Sequence, residues 1–304
     1  MWGNMAVTNR WSVGLLLVSA ALASMFVRSV QAQSMVLGYW QPIFDEDVDE
    51  RIPGPAADDY AGLPISEASR LRGHAWDPEI LTVPEHQCIP HPSTYGFRGV
   101  GNLRIWEDLN PYTQAQTEIE TWIAWESQHR HIYMDGRAHP PPFARHTWEG
   151  FSLGHWEGDV LVVHTDMLKA GWIRRNGLPL TDRATLDEHF FRHGDVLTHV
   201  MVVSDPIYLT EPMVKTNEFK LSVNTLMTAY PCRPATEIPR PKGQIPSHLP
   251  GQDPYLHEYA EKHNMPFVAS EGGAETALPE FQDVLIKFHA NPPAKAKSGQ
   301  KASQ

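Results

Sequence analysis

The residues of this chain best suited to chemistry are histidines, which crowd the middle of the sequence. Nine of its 16 histidines lie between positions 129 and 199, where acidic side chains are also frequent. An imidazole titrates near neutral pH and binds metal ions, so a cluster of histidines can transfer protons or hold a cation. We therefore predict that an active site, if there is one, lies between positions 129 and 199.

His129 and His131 are the candidates for metal ligands. They stand two residues apart in QHRHIYM, which reads as a strand, and side chains at that spacing share one face. With His155 or His164 they could form a three-histidine zinc site that polarises a carbonyl group or activates water. The sequence contains no HExxH motif, and paired histidines on strands are frequent without metal, so we favour no cofactor over zinc.

Six residues are candidates for proton transfer or substrate binding by polar groups. They are His131, Asp135, Arg137, His139, His155 and His164. Asp135, Arg137 and His139 alternate beside a run of prolines and could hold a polar substrate group. On the structural reading, Asp135 sets a turn with Gly136 and Arg137 pairs with an acid.

A hairpin is the element that must position two of these histidines. Residues 147–156 and 160–165 read as strands joined at residues 157–159, with a two-residue turn at Glu157-Gly158 or Gly158-Asp159. Alternation places Phe151, His155 and His164 on one face, and Ser152 and Trp156 on the other. Both faces are partly apolar, so we expect one to meet the core and the other to meet a lumen or a covering segment.

A second hairpin, residues 182–205, turns at His193-Gly194-Asp195. Glu188 and His199 share one of its faces and are either an acid/base pair or a cross-strand surface contact, and we favour the surface contact. Ser152 lies in a G-x-S-x-G pattern, which in some hydrolases marks a nucleophilic serine. No helix is expected to follow it, so we do not assign Ser152 as a nucleophile.

Large aromatic side chains could line an apolar ligand cavity, or they could simply fill a barrel. The four that we assign to substrate binding are Trp125, Trp148, Phe151 and Trp156.

The pattern predicts a mainly β fold: an antiparallel, lipocalin-like barrel or half-barrel with irregular N- and C-terminal arms and one or two short helices. Strands are expected from residue 98 onward, including residues 213–221 and 225–230. The segments are a signal peptide (1–32), an N-terminal arm with a short helix (33–97), the β domain (98–232), a proline-rich wrap with a helix over 253–264 (233–290), and a disordered tail (291–304).

The N-terminal apolar run, residues 11–27, reads as a cleaved secretory signal, the alternative being an uncleaved membrane anchor. Cleavage after Ala32 removes Arg10 and Arg28 and no acid, so the net charge moves from −11 to −11 − 2 = −13. An acidic chain without a basic stripe argues against a nucleic-acid partner, and we expect no stable membrane span after cleavage. Cys88 and Cys232 are expected to form a disulfide in an exported protein, the alternative being two buried thiols.

The phrases IYMDGRAHP (132–140) and GFSLGHWEGDVLVV (150–163) resemble a family of secreted bacterial proteins of unassigned function. The resemblance continues through 205–206 and 210–212 and more loosely through 272–276. Members often carry histidine at the position of Phe151, arginine at that of His155 and an acid at that of His164. The resemblance therefore implies a site in which neutral imidazoles replace the ion pair that other family members carry. Gly38 and Trp40 also resemble the G-x-W start of lipocalin-type barrels.

From these features we predict a periplasmic or secreted enzyme that acts on a small, largely apolar molecule. Histidine and acid groups would transfer protons in a lyase, isomerase or hydrolase step. The alternatives are a non-catalytic binding protein for a hydrophobic ligand and a structural envelope protein.

Overall fold

A closed barrel of nine β-strands forms the centre of the protein. The computed structural model describes residues 36–43, 45, 48–51, 54–80 and 83–291. The predicted signal peptide and almost all of the predicted tail lie outside these residues. Around the barrel the strands follow the order β1-β11-β10-β9-β6-β5-β4-β3-β2, and β2 pairs with β1 to close it. The strands are β1 (Gly38–Ile43), β2 (Leu103–Leu109), β3 (Gln116–Ile123), β4 (Gln128–Tyr133), β5 (Phe151–Glu157), β6 (Val160–Asp166), β9 (Thr185–His193), β10 (Val196–Ser204) and β11 (Met213–Leu221).

All neighbouring pairs in the barrel are antiparallel except β4 and β5, which run parallel. Parallel neighbours cannot be joined by a tight hairpin, because the chain must return to the end from which the first strand started. Residues 134–150 make that return over the outside of the barrel. The mainly antiparallel barrel expected from the sequence is confirmed, and the parallel pair is an addition to it.

The two predicted hairpins are confirmed. In the first, Glu157 pairs with Val160, which makes Gly158-Asp159 the two-residue loop, and Gly158 has a φ of 64°. In the second, His193 pairs with Val196.

The arms outside the barrel are irregular, with short helices. A small two-stranded sheet, β7 (Gly171–Trp172) and β8 (Pro179–Leu180), lies between β6 and β9 in the chain. The helices are α1 (Val48–Arg51), α2 (Glu67–Gly73), α3 (Ser93–Gly96), α4 (Glu258–Lys262), α5 (Phe267–Ser270) and α6 (Gln282–Ala290), with 3₁₀ turns at Pro84–Gln87, Trp125–Ser127, Ala274–Ala277 and Pro279–Phe281. Ser66 caps α2 as expected, since its hydroxyl accepts from the amide of Ser69 at 3.2 Å.

Two sequence expectations about the arms are wrong in detail. Residues 225–230 form no strand, and the helix expected over 253–264 is limited to α4. A β-rich composition alone does not make a strand, because a segment also needs a neighbour that is free to pair with it. Here β1 and β10 already occupy both edges of β11.

Two apolar layers fill the barrel and the space at its end. One contains Trp40, Ile119, Ile132, Phe190 and Phe219, and the other contains Leu186, Met201, Val203 and Met213 with side chains from the arms. Along β9 and β10 the inward positions pass from one layer to the other in steps of two residues.

A polar layer lies between the two apolar layers. The barrel strands contribute Arg130, Ser152, Thr165, Glu188, His199 and Asn217 to it, all of them buried, and the buried Arg51 and Arg98 donate to Asn217 from outside the strands. Arg130 donates through both terminal nitrogens to the carboxylate of Glu188, and through Nε to Ser152 Oγ at 3.1 Å. Nε2 of His199 lies 2.9 Å from Glu188 Oε1, and its Nδ1 lies 3.1 Å from Asn217. Glu188 and His199 therefore do share a face, but the favoured surface contact is wrong because that face points inward.

Cys88 and Cys232 are bonded, as expected, with an S–S distance of 2.01 Å across 144 residues of sequence. The bond joins the N-terminal arm to the chain that follows β11. No helix among residues 36–291 that the structure describes is long and apolar enough to cross a membrane.

Removing one charge from the polar layer should be costly. Glu188→Gln leaves the guanidinium of Arg130 buried without a counter-charge, for which we expect a loss of about 3–5 kcal/mol in the free energy of unfolding. The double variant Arg130→Met/Glu188→Leu should recover most of that loss. Urea denaturation measures both, with Glu157→Gln in an exposed turn as the matched control. Equal effects of Glu188→Gln and Glu157→Gln would contradict the prediction.

The same layer should make the fold sensitive to acid. Burial would raise the pKa of Glu188, but the charge and hydrogen bonds of Arg130 outweigh it and lower that pKa to about 2. Burial lowers the pKa of His199 from 6.5, and the Glu188 carboxylate offsets this only in part. Because the unfolded chain binds protons more readily at both sites, the free energy of unfolding should decrease as the pH falls below 6.5, and again as it falls from 4.5 towards 2.

Denaturation at a series of pH values measures this dependence. In the double variant Arg130→Met/Glu188→Leu, the decrease between pH 4.5 and 2 should become shallower. An unchanged slope would show that other carboxylates carry the acid sensitivity.

Candidate active site on the outer face of the barrel

His129 and His131 project from the outer face of β4, as the alternation predicts. Arg130 between them points into the polar layer and is buried, whereas the side chains of the two histidines are 46% and 45% exposed. The two rings lie 4.7 Å apart between centroids. Because Arg130 is bonded inside the barrel, the orientation of β4 is fixed and both histidines project outward.

Two glutamates of β3 contact these histidines. Glu120 lies directly opposite His131 in the strand register, and its Oε2 bonds Nε2 of His129 and lies 3.7 Å from Nδ1 of His131. Glu118 Oε2 lies 3.0 Å from that same Nδ1. Each of the two histidines on β4 thus contacts a carboxylate group on the adjacent strand β3.

A cavity of about 310 Å³ opens above the two histidines. The outer face of β4 forms its floor, and residues 140–150 of the β4–β5 connection cover it. Side chains of Tyr133, Pro140, Phe151 and Met167 give it largely apolar walls. The cover is fixed to the barrel, since the Thr147 amide donates to Met167 O at 3.1 Å and the Lys169 amide donates to Thr147 O at 2.8 Å.

Gly150 lies where the cover joins β5, and no larger residue fits there. Its φ is 74°, and a Cβ atom would come within 2.5 Å of the carbonyl oxygen of Asp166. Glycine thus allows the backbone of the cover to approach the backbone of β6 closely at the edge of the cavity.

Glu149 also lines this cavity and is half-buried. Burial raises the pKa of its carboxyl group, and the nearby charges of Arg130, Lys169 and His129 offset only part of the rise. A glutamic acid that keeps its proton to higher pH can act as a general acid. The sequence interpretation missed Glu118, Glu120 and Glu149. The Glu118-x-Glu120 spacing signals a shared face on a strand, but the burial of Glu149 has no local signal.

Asp135 and Arg137 stand beside the cavity and bond each other. Asp135 Oδ1 accepts from the Arg137 amide at 3.2 Å and from its Nε at 2.9 Å, and these hydrogen bonds lower the pKa of Asp135. Arg137 also donates to Glu118 Oε1 at 3.1 Å and lies 3.7 Å above the ring of Tyr133. This arrangement matches the structural reading, in which Asp135 holds a turn and Arg137 pairs with acids.

The ring of His139 packs against the ring of Phe151, with 5.1 Å between ring centroids. Its Nε2 lies 2.9 Å from both carboxylate oxygens of Asp166. The hydrogen bond to Asp166, with one to the carbonyl group of Pro140, raises the pKa of His139. His139 thereby holds the proline run against β6.

His155 and His164 share the outer face with His129 and His131 but do not line the cavity. Each is exposed and bonds one acid: Glu157 at 3.1 Å and Asp187 at 2.6 Å, respectively. The predicted three-histidine site is therefore wrong in its third member, since the donor that joins His129 and His131 is Glu120. The face assignment was correct, but the two rings bond acids of β5 and β9 instead of groups at the cavity.

The four aromatic residues assigned to substrate binding lie in four different places. Phe151 lines the cavity above His131. Trp148 lines a separate groove of about 590 Å³ with Trp76 and Trp172. Trp156 packs against an apolar layer and donates to Gln116 Oε1 at 2.8 Å.

Trp125 is buried near the disulfide and stacks on His91 with 5.0 Å between ring centroids. Nε2 of His91 lies 2.7 Å from Glu85 Oε1. The neighbouring Glu126 has a φ of 50°, and burial, followed by the charge of Glu85, raises its pKa to about 7. This second polar cluster was not expected from the sequence, because its members come from separate irregular segments.

A search of the chain against protein-family models, curated proteins and solved structures finds no match.

Replacing Asp166 should lower the pKa of His139. In Asp166→Asn the carboxylate that favours the imidazolium is gone, so the pKa should move down towards 6.5. Because the folded-state value is raised, the contact stabilises the fold fully below pH 6.5 and loses its effect as the pH rises through the folded-state pKa. An NMR titration of the His139 ring measures the shift. Asp187→Asn, which removes the partner of His164, is the control and should leave His139 unchanged.

Proposed function

We propose that this protein is an exported enzyme that hydrolyses a small, largely apolar molecule in the cavity above His129 and His131. One observation carries the proposal: two imidazole–carboxylate contacts and a carboxyl group with a raised pKa face one cavity of about 310 Å³. Acid and base groups whose environments differ in this way are frequent at catalytic sites.

The base in this proposal is His131. Its Nδ1 lies 3.0 Å from Glu118 and 3.7 Å from Glu120, so two carboxylates orient the ring. His129, bonded to Glu120, extends the same row. The rings are about half exposed, so water reaches them. Access of water favours hydrolysis over a lyase or isomerase step among the reactions expected from the sequence.

The acid is Glu149. It faces the same cavity as His131 and comes from the cover rather than from the barrel. A substrate between floor and cover would meet a base on one side and an acid on the other. His131 takes a proton from the attacking water, and Glu149 gives its proton to the leaving alkoxide as the ester bond breaks. The imidazolium of His131 then loses its proton to solvent and Glu149 regains one, which restores both groups for the next turnover.

The substrate class follows from the walls of the cavity. Tyr133, Phe151 and Met167 present aromatic and thioether surface. A volume of about 310 Å³ is at the lower end of ligand pockets and admits only a small molecule. An ester of a short acid with an aromatic alcohol has a suitable size and polarity.

Export to the periplasm or the exterior is part of the proposal. The apolar run at residues 11–27 and the bond between Cys88 and Cys232 support it, because structural disulfides persist mainly in oxidising compartments. Membership of the secreted family that the sequence resembles remains a prediction.

The second candidate function is non-catalytic binding of a hydrophobic ligand. The groove of about 590 Å³ favours it, since Trp76, Trp148 and Trp172 line that groove and no histidine does. A structural envelope role is the third alternative, and the densely filled barrel is compatible with it.

Hydrolysis of phenyl acetate and phenyl butyrate, followed across pH by the release of phenol, tests the first candidate, because phenoxide is a poor enough leaving group to need a proton from the acid. His131→Asn should lower kcat/KM by about 100-fold or more, because it removes the general base. His155→Asn, which removes an exposed histidine bonded to one acid, is the matched control and should leave the rate unchanged.

Glu149→Gln tests the acid independently. The wild-type rate should fall as the pH rises through the raised pKa of Glu149, and this alkaline limb should disappear in the variant. Equal rates in His131→Asn and His155→Asn, or no hydrolysis above buffer, would overturn the proposal. Binding of the apolar dye 1-anilinonaphthalene-8-sulfonate, lost in Trp172→Ala while both esters stay intact, would move the conclusion to the binding protein.

A further inference from the structure

We infer that Glu120, His129 and His131 bind one divalent transition-metal ion, with zinc as the favoured ion. The binding rests on the geometry of these three residues, and it is an alternative to the role of His131 in the proposed function, because a ring nitrogen that binds a metal ion cannot also accept a proton. The site differs from the metal site considered from the sequence, because a glutamate of β3 replaces a third histidine.

The donor atoms already lie together. One carboxylate oxygen of Glu120 and one ring nitrogen from each histidine all lie within 4.8 Å of one another. Glu120 pairs with His131 in the register of β3 and β4, and Trp122 pairs with His129, so the three donors are fixed by one strand pair. Among the residues that the structure describes, no other three histidine, cysteine or acidic side chains meet in this way.

Ordering the donors on metal binding should cost little, because neighbouring groups already restrict them. Trp106 lies opposite Glu120 on β2 and stacks on His129, with ring centroids 5.4 Å apart and an interplanar angle of 25°. Glu118 holds His131, and Arg137 in turn holds Glu118 at 3.1 Å.

The donor set selects the class of ion. Imidazole nitrogen suits zinc and other first-row transition metals, and one carboxylate completes a three-ligand site of the kind found in zinc enzymes. Tetrahedral bonds of about 2.0–2.1 Å put ligand atoms about 3.4 Å apart, so the donors must move inward slightly.

The local charge favours a cation, and the open position faces the cavity. Glu118 and Glu120 contact the two histidines directly, whereas the guanidinium group of Arg137 is already paired with Asp135 and Glu118. Three protein ligands leave a fourth position for water, and the cavity of about 310 Å³ lies on the side to which His129 and His131 are open. A bound ion would occupy the position where Glu120 now bonds His129 directly.

Metal titration of the full exported chain, stripped of metal and freed of chelator, tests the inference without any substrate. Zn²⁺ is followed by calorimetry and Co²⁺ by its visible absorption. We expect one ion per chain. His129→Asn, His131→Asn and Glu120→Gln should each raise Kd by about 100-fold or more, since each removes one of three ligands.

His155→Asn and Glu157→Gln form the matched control pair, since they remove an exposed histidine and acid 3.1 Å apart, and they should not change Kd. An NMR measurement on the wild-type chain does not depend on the folding of any variant: Zn²⁺ should shift the ring signals of His129 and His131 and leave those of His155 and His164 unmoved. No saturable binding, or an equal response of all four rings, would overturn the inference.

The outcomes separate the two proposals. One Zn²⁺ per chain with no ester hydrolysis would overturn the proposed function and leave the metal site standing. Hydrolysis that depends on His131, without any metal binding, would overturn the metal site and leave the proposed function standing.

Discussion

The ion pair between Arg130 and Glu188 holds together elements that are far apart in the sequence. Through Ser152, Thr165, His199 and Asn217 the same network reaches six of the nine barrel strands. A buried charge without its partner is strongly unfavourable, so few other registers of these strands are tolerated. The apolar layers on both sides exclude water from the network, which strengthens each of its hydrogen bonds.

The outer cavity depends on this inner layer through strand alternation. Arg130 is fixed from within, so the neighbouring His129 and His131 must point outward. The stability of the core and the position of the candidate catalytic groups thus both depend on residues 129–131. A change at Arg130 would therefore alter both the stability of the barrel and the geometry of the cavity, even though Arg130 does not line it.

Local periodicity predicts part of this arrangement well. The common face of His129 and His131, the hairpin at Gly158 and the hairpin at Gly194 all follow from alternation and turn chemistry. Alternation does not say which face is inside, and for that reason Glu188 and His199 were assigned to the surface. The contacts of Glu118 and Glu120 could be predicted only from the register between β3 and β4. The burial of Glu149 could be predicted only from the position of the residues that pack around it. Both depend on residues distant in the sequence, so no local pattern indicates them.

The single parallel pair has a consequence that follows from counting. Around a closed ring, strand direction must return to its starting sense, so the number of antiparallel neighbours must be even. Nine neighbouring pairs therefore force at least one parallel junction, which here is the one between β4 and β5. Because β4 and β5 are consecutive in the chain, this parallel junction requires residues 134–150 to return from one rim to the other, and that return covers His129 and His131. The odd number of strands demands a parallel junction, its position between two consecutive strands demands a covering segment, and the cavity is the space beneath that segment.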